Sequence, residues 1–394
     1  MSFKPLFSRF LAAAPERLHL AAHSHHLWPD TVFEAQLRYV EDTARLADHK
    51  WEHVFGTVVP RLQARIAAIL TLPDPASLAF APNTHEFVRR LLSCLPADRP
   101  ARVLTTDSEF HSVRRQLARL EEDGLARVTR VAQEPTADFP ARFAAAAAAG
   151  GHDLVFFSQV FFNSGYAVPD LAALVAAVPD RETLVAIDGY HGFMALPTDL
   201  SAIAPRAFYI AGGYKYAMAG EGACFLHVPP GYGLRPRDTG WYAAFGALAG
   251  ALAGAQDGRV PYGTDGSRFL GSTFDPSGLY RLLAVLDLLA ERGIGVPAIH
   301  AHVLALQEAF AGALDRAGLP DLARDRLLVP LDTPVRGHFL TYRTDKAGAI
   351  DDRLRAAGIV VDHRDDRLRF GFGLYHDFAE VPAMADRVIR ALAR

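Results

Sequence analysis

Cysteine is nearly absent from this sequence: Cys94 and Cys224 are the only two in 394 residues. They are too few for a disulfide framework and wrongly spaced for a zinc ribbon, so a reducing compartment, the cytoplasm, is the expected home. An excess of one charge sign is missing too. Lys plus Arg number 41 and Asp plus Glu 44, a formal net charge of −3, which argues against a polyanion-binding surface and against nucleic acid as a partner. Long hydrophobic runs are also lacking. The stretch Phe10-Leu-Ala-Ala-Ala14 is shorter than the ~7 to 15 apolar residues at the core of a secretion signal. The Ala/Gly-rich tract Ala243–Ala255 falls far short of the ~20 residues that span a bilayer, so no membrane partner is expected. Several familiar motifs do not occur: no Gly-x-Gly-x-x-Gly after a strand, no Walker A loop, no Gly-x-Ser-x-Gly elbow. The run His85-Glu86-Phe87-Val88-Arg89 holds arginine where a zinc protease has its second histidine. One histidine is not a zinc site, and no metal is expected.

What is present is an α/β pattern in a chain long enough for two domains. Apolar runs at 102–105, 154–158, 184–187, 207–211 and 223–228 read as strands. Amphipathic stretches at 86–95, 112–122, 138–149 and 170–178 read as the helices between them, so a mostly parallel sheet covered by helices is predicted. A Gly- and Arg-rich region at 231–271 breaks the rhythm. After it come helical patterns at 279–291 and 298–317, a strand at 337–342, a helix at 349–357, strands at 359–361 and 368–372, and a last helix at 381–392. That order suits a smaller α+β domain. The predicted division is an N-terminal segment 1–50 packing on the small domain and active site, a large domain 51–270, and a small domain 271–394.

The central motif has two parts. The strand Leu184-Val-Ala-Ile187 runs into Asp188-Gly-Tyr-His191, which puts a carboxylate at the carboxyl end of a parallel strand, where α/β sheets bind ligands. The strand Ala207–Ala211 then feeds Gly212-Gly-Tyr-Lys-Tyr216, a lysine on a glycine-bearing turn. An acid able to face a pyridinium nitrogen and a lysine able to form a Schiff base are the two groups that pyridoxal phosphate requires. Taken singly, Lys215 could be a surface lysine and Asp188 a helix cap.

With these residues the sequence resembles the class V aminotransferase family of fold-type I pyridoxal-phosphate enzymes, and within it is most similar to the kynureninases. The resemblance covers nearly the whole chain and rests on Asp188-x-x-His191, Gly213-Tyr214-Lys215-Tyr216, Thr239-Gly-Trp241 and Leu368-Arg-Phe-Gly371. It implies a seven-stranded, mostly parallel sheet sandwiched by helices. It also implies pyridoxal phosphate as cofactor, an amino-acid substrate, and a homodimer with active sites at the interface.

By the same resemblance, Lys215 is the Schiff-base lysine and the base at the α-carbon, Asp188 keeps the pyridine nitrogen protonated, and Phe110 lies over the cofactor ring. Thr84 and His85, at a helix start suited to phosphate, contact the phosphate, as does Tyr214. His191 reaches the phosphate or supports Asp188. Trp241 and Thr273 act from the neighbouring subunit. Arg369 holds the substrate's α-carboxylate with its planar fork. His26, Trp28 and Asn163 are placed with the substrate. Helix capping, core packing or an ordinary exposed strand would account equally for Thr84, Phe110, Tyr214, Trp241 or Arg369.

Departures from kynureninases are Glu86, Val113, and the N-terminal run Leu20-Ala-Ala-His-Ser-His-His-Leu-Trp-Pro29, whose His23, His25, His26 and Trp28 could line a pocket for an aromatic substrate. A desulfurase needs a nucleophilic cysteine on a small-domain loop, and neither cysteine is placed there. The reaction that the resemblance to kynureninases implies is hydrolytic Cβ–Cγ cleavage of kynurenine or a related aryl keto amino acid to anthranilate and alanine. The alternative is another class V activity on a different amino acid: transamination, racemisation or epimerisation, or C–S lysis. Of the sixteen histidines, only His85, His191 and the His23–His26 cluster receive a role.

Overall fold

The computed structural model describes residues 2–244 and 259–393. Beyond Ala244 the Ala/Gly-rich tract lies outside the described residues. The described strands are β1 (Leu18–His19), β2 (Leu78–Ala81), β3 (Ala101–Thr106), β4 (Ala126–Val131), β5 (Leu154–Ser158), β6 (Leu184–Asp188), β7 (Ala207–Gly212), β8 (Cys224–His227), β9 (Phe339–Arg343), β10 (Ile359–Val360), β11 (Asp362–Arg364) and β12 (Arg367–Gly371). Seven form one sheet in the order β2-β8-β7-β6-β5-β3-β4. Only β8 runs against its neighbours. This is the mostly parallel, helix-covered sheet expected.

Period-two alternation explains why the central strands are apolar throughout. Val155 and Phe157 of β5, Val185 and Ile187 of β6, and Tyr209 of β7 face one core. Leu154, Phe156, Leu184, Ala186, Phe208 and Ile210 face the other. A sheet covered on both faces needs hydrophobic residues at both parities, and each large side chain fully buried stabilises the fold by about 1.5–3 kcal/mol. Helices Val59–Leu70, Phe139–Ala148 and Ser277–Glu291 supply the first core. Thr84–Ser93 and His111–Glu122 supply the second.

Strand β4 went unread in the sequence. It is the edge strand, paired only with β3, and its Arg127 and Arg130 interrupt the apolar pattern, as charged edges do. The division at 270/271 also differs. Helix Ser277–Glu291 buries Leu279, Leu282, Val285, Leu286 and Leu289 in the large-domain core, and Val296 and Ile299 of the next helix do the same. The small-domain core begins at Val303 of helix Val296–Arg316 and continues through Phe310, Leu340, Leu354, Phe370 and Val388. The sequence break at 231–271 is a change of rhythm, not a change of core.

The small domain carries the antiparallel sheet β11-β12-β9 with helices Ala347–Ala356 and Val381–Ala393. The N-terminal segment joins it: β1 pairs with β10, and Ala21 bridges to Gly371. No described helix is long and apolar enough to cross a membrane.

Candidate active site

Parallel pairing aligns Ser158 of β5, Asp188 of β6 and Ile210 of β7 across the sheet. Their carboxyl ends open into a cleft lined by Thr84, Phe110, Ser158, Val160, Phe162, Asp188, Tyr190, His191, Tyr214 and Lys215. Six residues singled out from the sequence therefore meet in one place: Lys215, Asp188, Phe110, Thr84, His191 and Tyr214.

Lys215 sits on the turn after β7. Gly212 allows that turn to close, because a Cβ there would lie 2.5 Å from both Cys224 Sγ and the Tyr190 hydroxyl. The amine is buried, with Nζ 4.8 Å from the Tyr190 ring centre and 5.3 Å from that of Phe110. Burial lowers its pKa to about 7, against a smaller opposing pull from Asp188, since low-polarity surroundings disfavour the ammonium. Asp188 accepts the Tyr190 backbone N–H at 2.9 Å, and burial raises its carboxyl above the usual range.

His191 faces the lysine. Its Nε2 lies 2.6 Å from Lys215 Nζ rather than on Asp188, and its Nδ1 is buried without a partner. Burial, with Lys215 next, holds it well below the ordinary histidine pKa, so the neutral ring accepts from the lysine. Thr84 opens helix Thr84–Ser93, capped by Asn83, whose Oδ1 accepts the Glu86 N–H at 3.1 Å. Glu86 pairs along the helix with Arg90 at 3.0 Å. His85 does not line the cleft, and its Nδ1 is a second buried atom without a partner.

One acid was not singled out. Glu109, 2% exposed, accepts from Thr106 Oγ1 at 2.7 Å, Ser158 Oγ at 2.6 Å and Ser158 N–H at 3.2 Å. Burial pushes its pKa up to about 8, with Asp188 adding to the rise. The signal was present in Asp107-Ser-Glu-Phe110, but the phenylalanine drew the attention.

Arg369 lies beside the cleft rather than in its lining. It is 3% exposed, donates to the Phe162 carbonyl, and forks onto both oxygens of Asp362 through Nε (2.7 Å) and Nη2. His23 Nε2 meets the same carboxylate at 2.9 Å. Asn163 follows Phe162 and has its Oδ1 buried without a partner.

His23, His25, His26 and Trp28 do not line this cleft. His25 is exposed, stacked on Tyr214 with centroids 5.3 Å apart. His26 is buried, its Nδ1 2.6 Å from the Leu27 carbonyl and its ring 4.9 Å from Tyr375. Trp28 packs on Phe10 at 5.4 Å, beneath Arg281 and against Gly220. His26 and Trp28, placed with the substrate by the resemblance, do not line this cleft, and their rings seat the N-terminal segment against Tyr375 and Phe10. Among the described residues no three His, Cys, Asp or Glu side chains come together as metal ligands. Trp241, 44% exposed, donates its indole N–H to Thr273 Oγ1 at 3.1 Å, and neither residue lines this chain's cleft.

Residues 299–388 match the kynureninase C-terminal domain family. Over 173 residues the chain is 34% identical to isopenicillin N epimerase of Streptomyces clavuligerus, and the match spans 43% of each protein. Solved structures share the whole architecture. The cystine C–S lyase C-DES in complex with its product cysteine persulfide superposes with a TM-score of 0.80 at 19% identity, covering 97% of this chain and 98% of that one. A C-DES variant with glycine covalently linked to its pyridoxal-phosphate cofactor gives 0.79 at 18%, covering 99% of each. The apo cysteine desulfurase of Thermococcus onnurineus NA1 gives 0.74 at 16%, covering 98% of each. The fold is fold type I, that of these class V pyridoxal-phosphate enzymes.

Proposed function

We propose that this protein is a pyridoxal-phosphate enzyme acting on an amino acid with an aromatic side chain, and that its reaction is kynureninase-like Cβ–Cγ hydrolysis. The observation that carries the cofactor is the buried Lys215 in one cleft with Asp188, at the ends of adjacent parallel strands. The site fits the group in other respects. A capped helix start brings Thr84 to the cleft, and the unpartnered His191 Nδ1 leaves a buried polar atom for a ligand to satisfy.

When bound, pyridoxal phosphate supplies an aldehyde that condenses with amines and a ring that takes up electrons from a bond broken at the α-carbon. Lys215, lowered to about 7, is available as a neutral amine near pH 7 and takes or returns a proton at that carbon. Asp188 would hold the proton on the ring nitrogen. Thr84, the helix amides and Tyr214 would hold the phosphate, with Phe110 against the ring. Arg369 receives the substrate carboxylate. Phe162, edge to face with Phe110 at 5.5 Å, extends an aromatic wall beyond the cofactor's place that suits an aryl side chain.

Desulfurase chemistry is disfavoured. Both thiols are pushed up to about 12 by burial, Cys94 on a helix end and Cys224 within β8, the reverse of an activated nucleophile. Epimerisation is the second reading, favoured by the Streptomyces relative. We further propose a cytoplasmic homodimer, to which the exposed Trp241–Thr273 pair offers an edge.

The test is incubation of the holoprotein with L-kynurenine and with 3-hydroxykynurenine. Anthranilate or its hydroxy form plus alanine, without added keto acid, is the expected result. Appearance of D-amino acid would favour epimerisation, and dependence on a keto acid would favour transamination. A protein that stays colourless with pyridoxal phosphate, and whose Lys215 is not labelled after borohydride, would overturn the cofactor.

A further inference from the structure

Arg369 is less free than a carboxylate receptor usually is. A guanidinium carries five N–H bonds. Here Nε–H and one Nη2–H go to the two oxygens of Asp362, and one Nη1–H goes to the Phe162 carbonyl. Two remain, one on each terminal nitrogen, and these are the bonds left to a substrate carboxylate. The pairing follows from the hairpin: β11 and β12 register Asp362 opposite Arg369, and Arg364 opposite Arg367 across the two-residue turn Asp365-Asp366.

Asp362 is in turn held from the N-terminal segment. His23 Nε2 lies 2.9 Å from its Oδ1. Burial lowers the His23 pKa to about 4, and His23 and Arg369 together hold the Asp362 carboxyl well below its ordinary value. His23 is therefore a neutral donor on an ionised acceptor. Its ring stacks on Phe339 at 4.7 Å and lies over Gly371, where a Cβ would come within 2.1 Å of Nδ1. The bridge Ala21–Gly371 fixes the backbone from which His23 projects.

We propose that Asp362 and His23 are positioning residues that aim Arg369 at the substrate's α-carboxylate, an inference that rests on the role of Arg369 given above. Asp362 neutralises much of the arginine's charge and leaves it directional. General attraction for anions is weakened, and the N–H bonds that Asp362 and Phe162 leave free remain for a carboxylate. The N-terminal histidine run thereby acquires a function at His23, without touching the substrate.

The holoprotein's visible spectrum, titrated with L-phenylalanine and with 2-phenylethylamine, which lacks the carboxylate, reads this directly. Wild type should prefer L-phenylalanine. Asp362→Asn, which puts an amide N–H against the guanidinium, should reduce that preference by about 10- to 100-fold, as should His23→Leu to a smaller extent. His23→Gln, which restores a donor, should recover it. General structural damage weakens both ligands alike and leaves their ratio unchanged. An Asp362→Asn protein with the wild-type spectrum and an undiminished preference overturns the positioning role. Should that variant fail to fold, equal preferences in His23→Leu and His23→Gln overturn it. A wild type with no preference overturns the carboxylate role of Arg369 itself, and with it this proposal.

Discussion

The floor of the cleft and its small-domain edge both hold charged groups out of water, by opposite means. On the floor, Lys215 and Glu109 are buried and Asp188 is half-buried, with too few opposing charges, and desolvation drags each toward its neutral form. At the edge, Arg369 is buried and Asp362 half-buried, yet each faces the other's opposite charge, and that pairing holds the Asp362 carboxyl below its ordinary range against the pull of burial. The floor stands on parallel strand ends, where backbone geometry fixes side chains without ion pairs. The edge stands on a hairpin whose register creates the pair. Groups that must change protonation are held by burial, and groups that must keep one charge and one direction are held by pairing.

The hardest blow to that contrast is on the floor. Lys215→Ala should lower turnover by at least about 10⁴-fold, the combined loss of a nucleophile and a general base, measured by steady-state kinetics on the holoprotein. A gentler form of the test uses pH. Below about 7 the Lys215 amine is protonated and cannot attack an aldehyde. Colour regain when pyridoxal phosphate is added to apoprotein should therefore rise with pH through about 7 and level off above it.

Glu109 tests the floor through stability. Burial raises its pKa from the ordinary 4.5 of an exposed glutamate to about 8, so the folded state binds the extra proton between those values. Stability is fully present below the unfolded pKa and is lost as pH rises through about 8. Glu109→Gln should flatten this fall, gaining on the order of 3 to 5 kcal/mol relative to wild type above that pH, read by urea unfolding at pH 5, 7 and 9. An unchanged slope would mean that its three donors hold the carboxylate ionised and that the floor does not differ from the edge. At the edge, Arg369→Lys keeps the charge but loses the fork. KM should rise by roughly 10- to 100-fold, about 1.5 to 3 kcal/mol, with little change in kcat.

The floor was more legible in the sequence than the edge, for a physical reason. Asp188 and Lys215 each follow an apolar run directly, and a strand end is a place that local pattern can mark. Arg369 could be found on its alternating strand, but Asp362 could not, because its importance lies in a cross-strand partner seven residues away. The two-residue turn Asp365-Asp366, with Asp365 at φ 51°, was the available signal, since such turns fix register. His23, Phe162 and Phe339 reach the site through tertiary packing alone. The large sheet was readable wherever both faces are covered. Edge strand β4 was not, because charge there obscures the period.

The smallest expected effect lies at the cleft's third support, the helix start at Thr84, where neither burial nor pairing of charge acts. Asn83 accepts the Glu86 N–H, and Asn83→Ala should cost ~1 kcal/mol of stability, the ordinary loss of an N-cap. A phosphate placed at the remaining amides of that turn would share the same partial positive charge. The cap and the cofactor should therefore be energetically linked. The variant's deficit in thermal unfolding should be smaller with pyridoxal phosphate bound than without it. An equal deficit in both states would remove the helix start from the cofactor's support and leave the phosphate to side chains such as Thr84 and Tyr214.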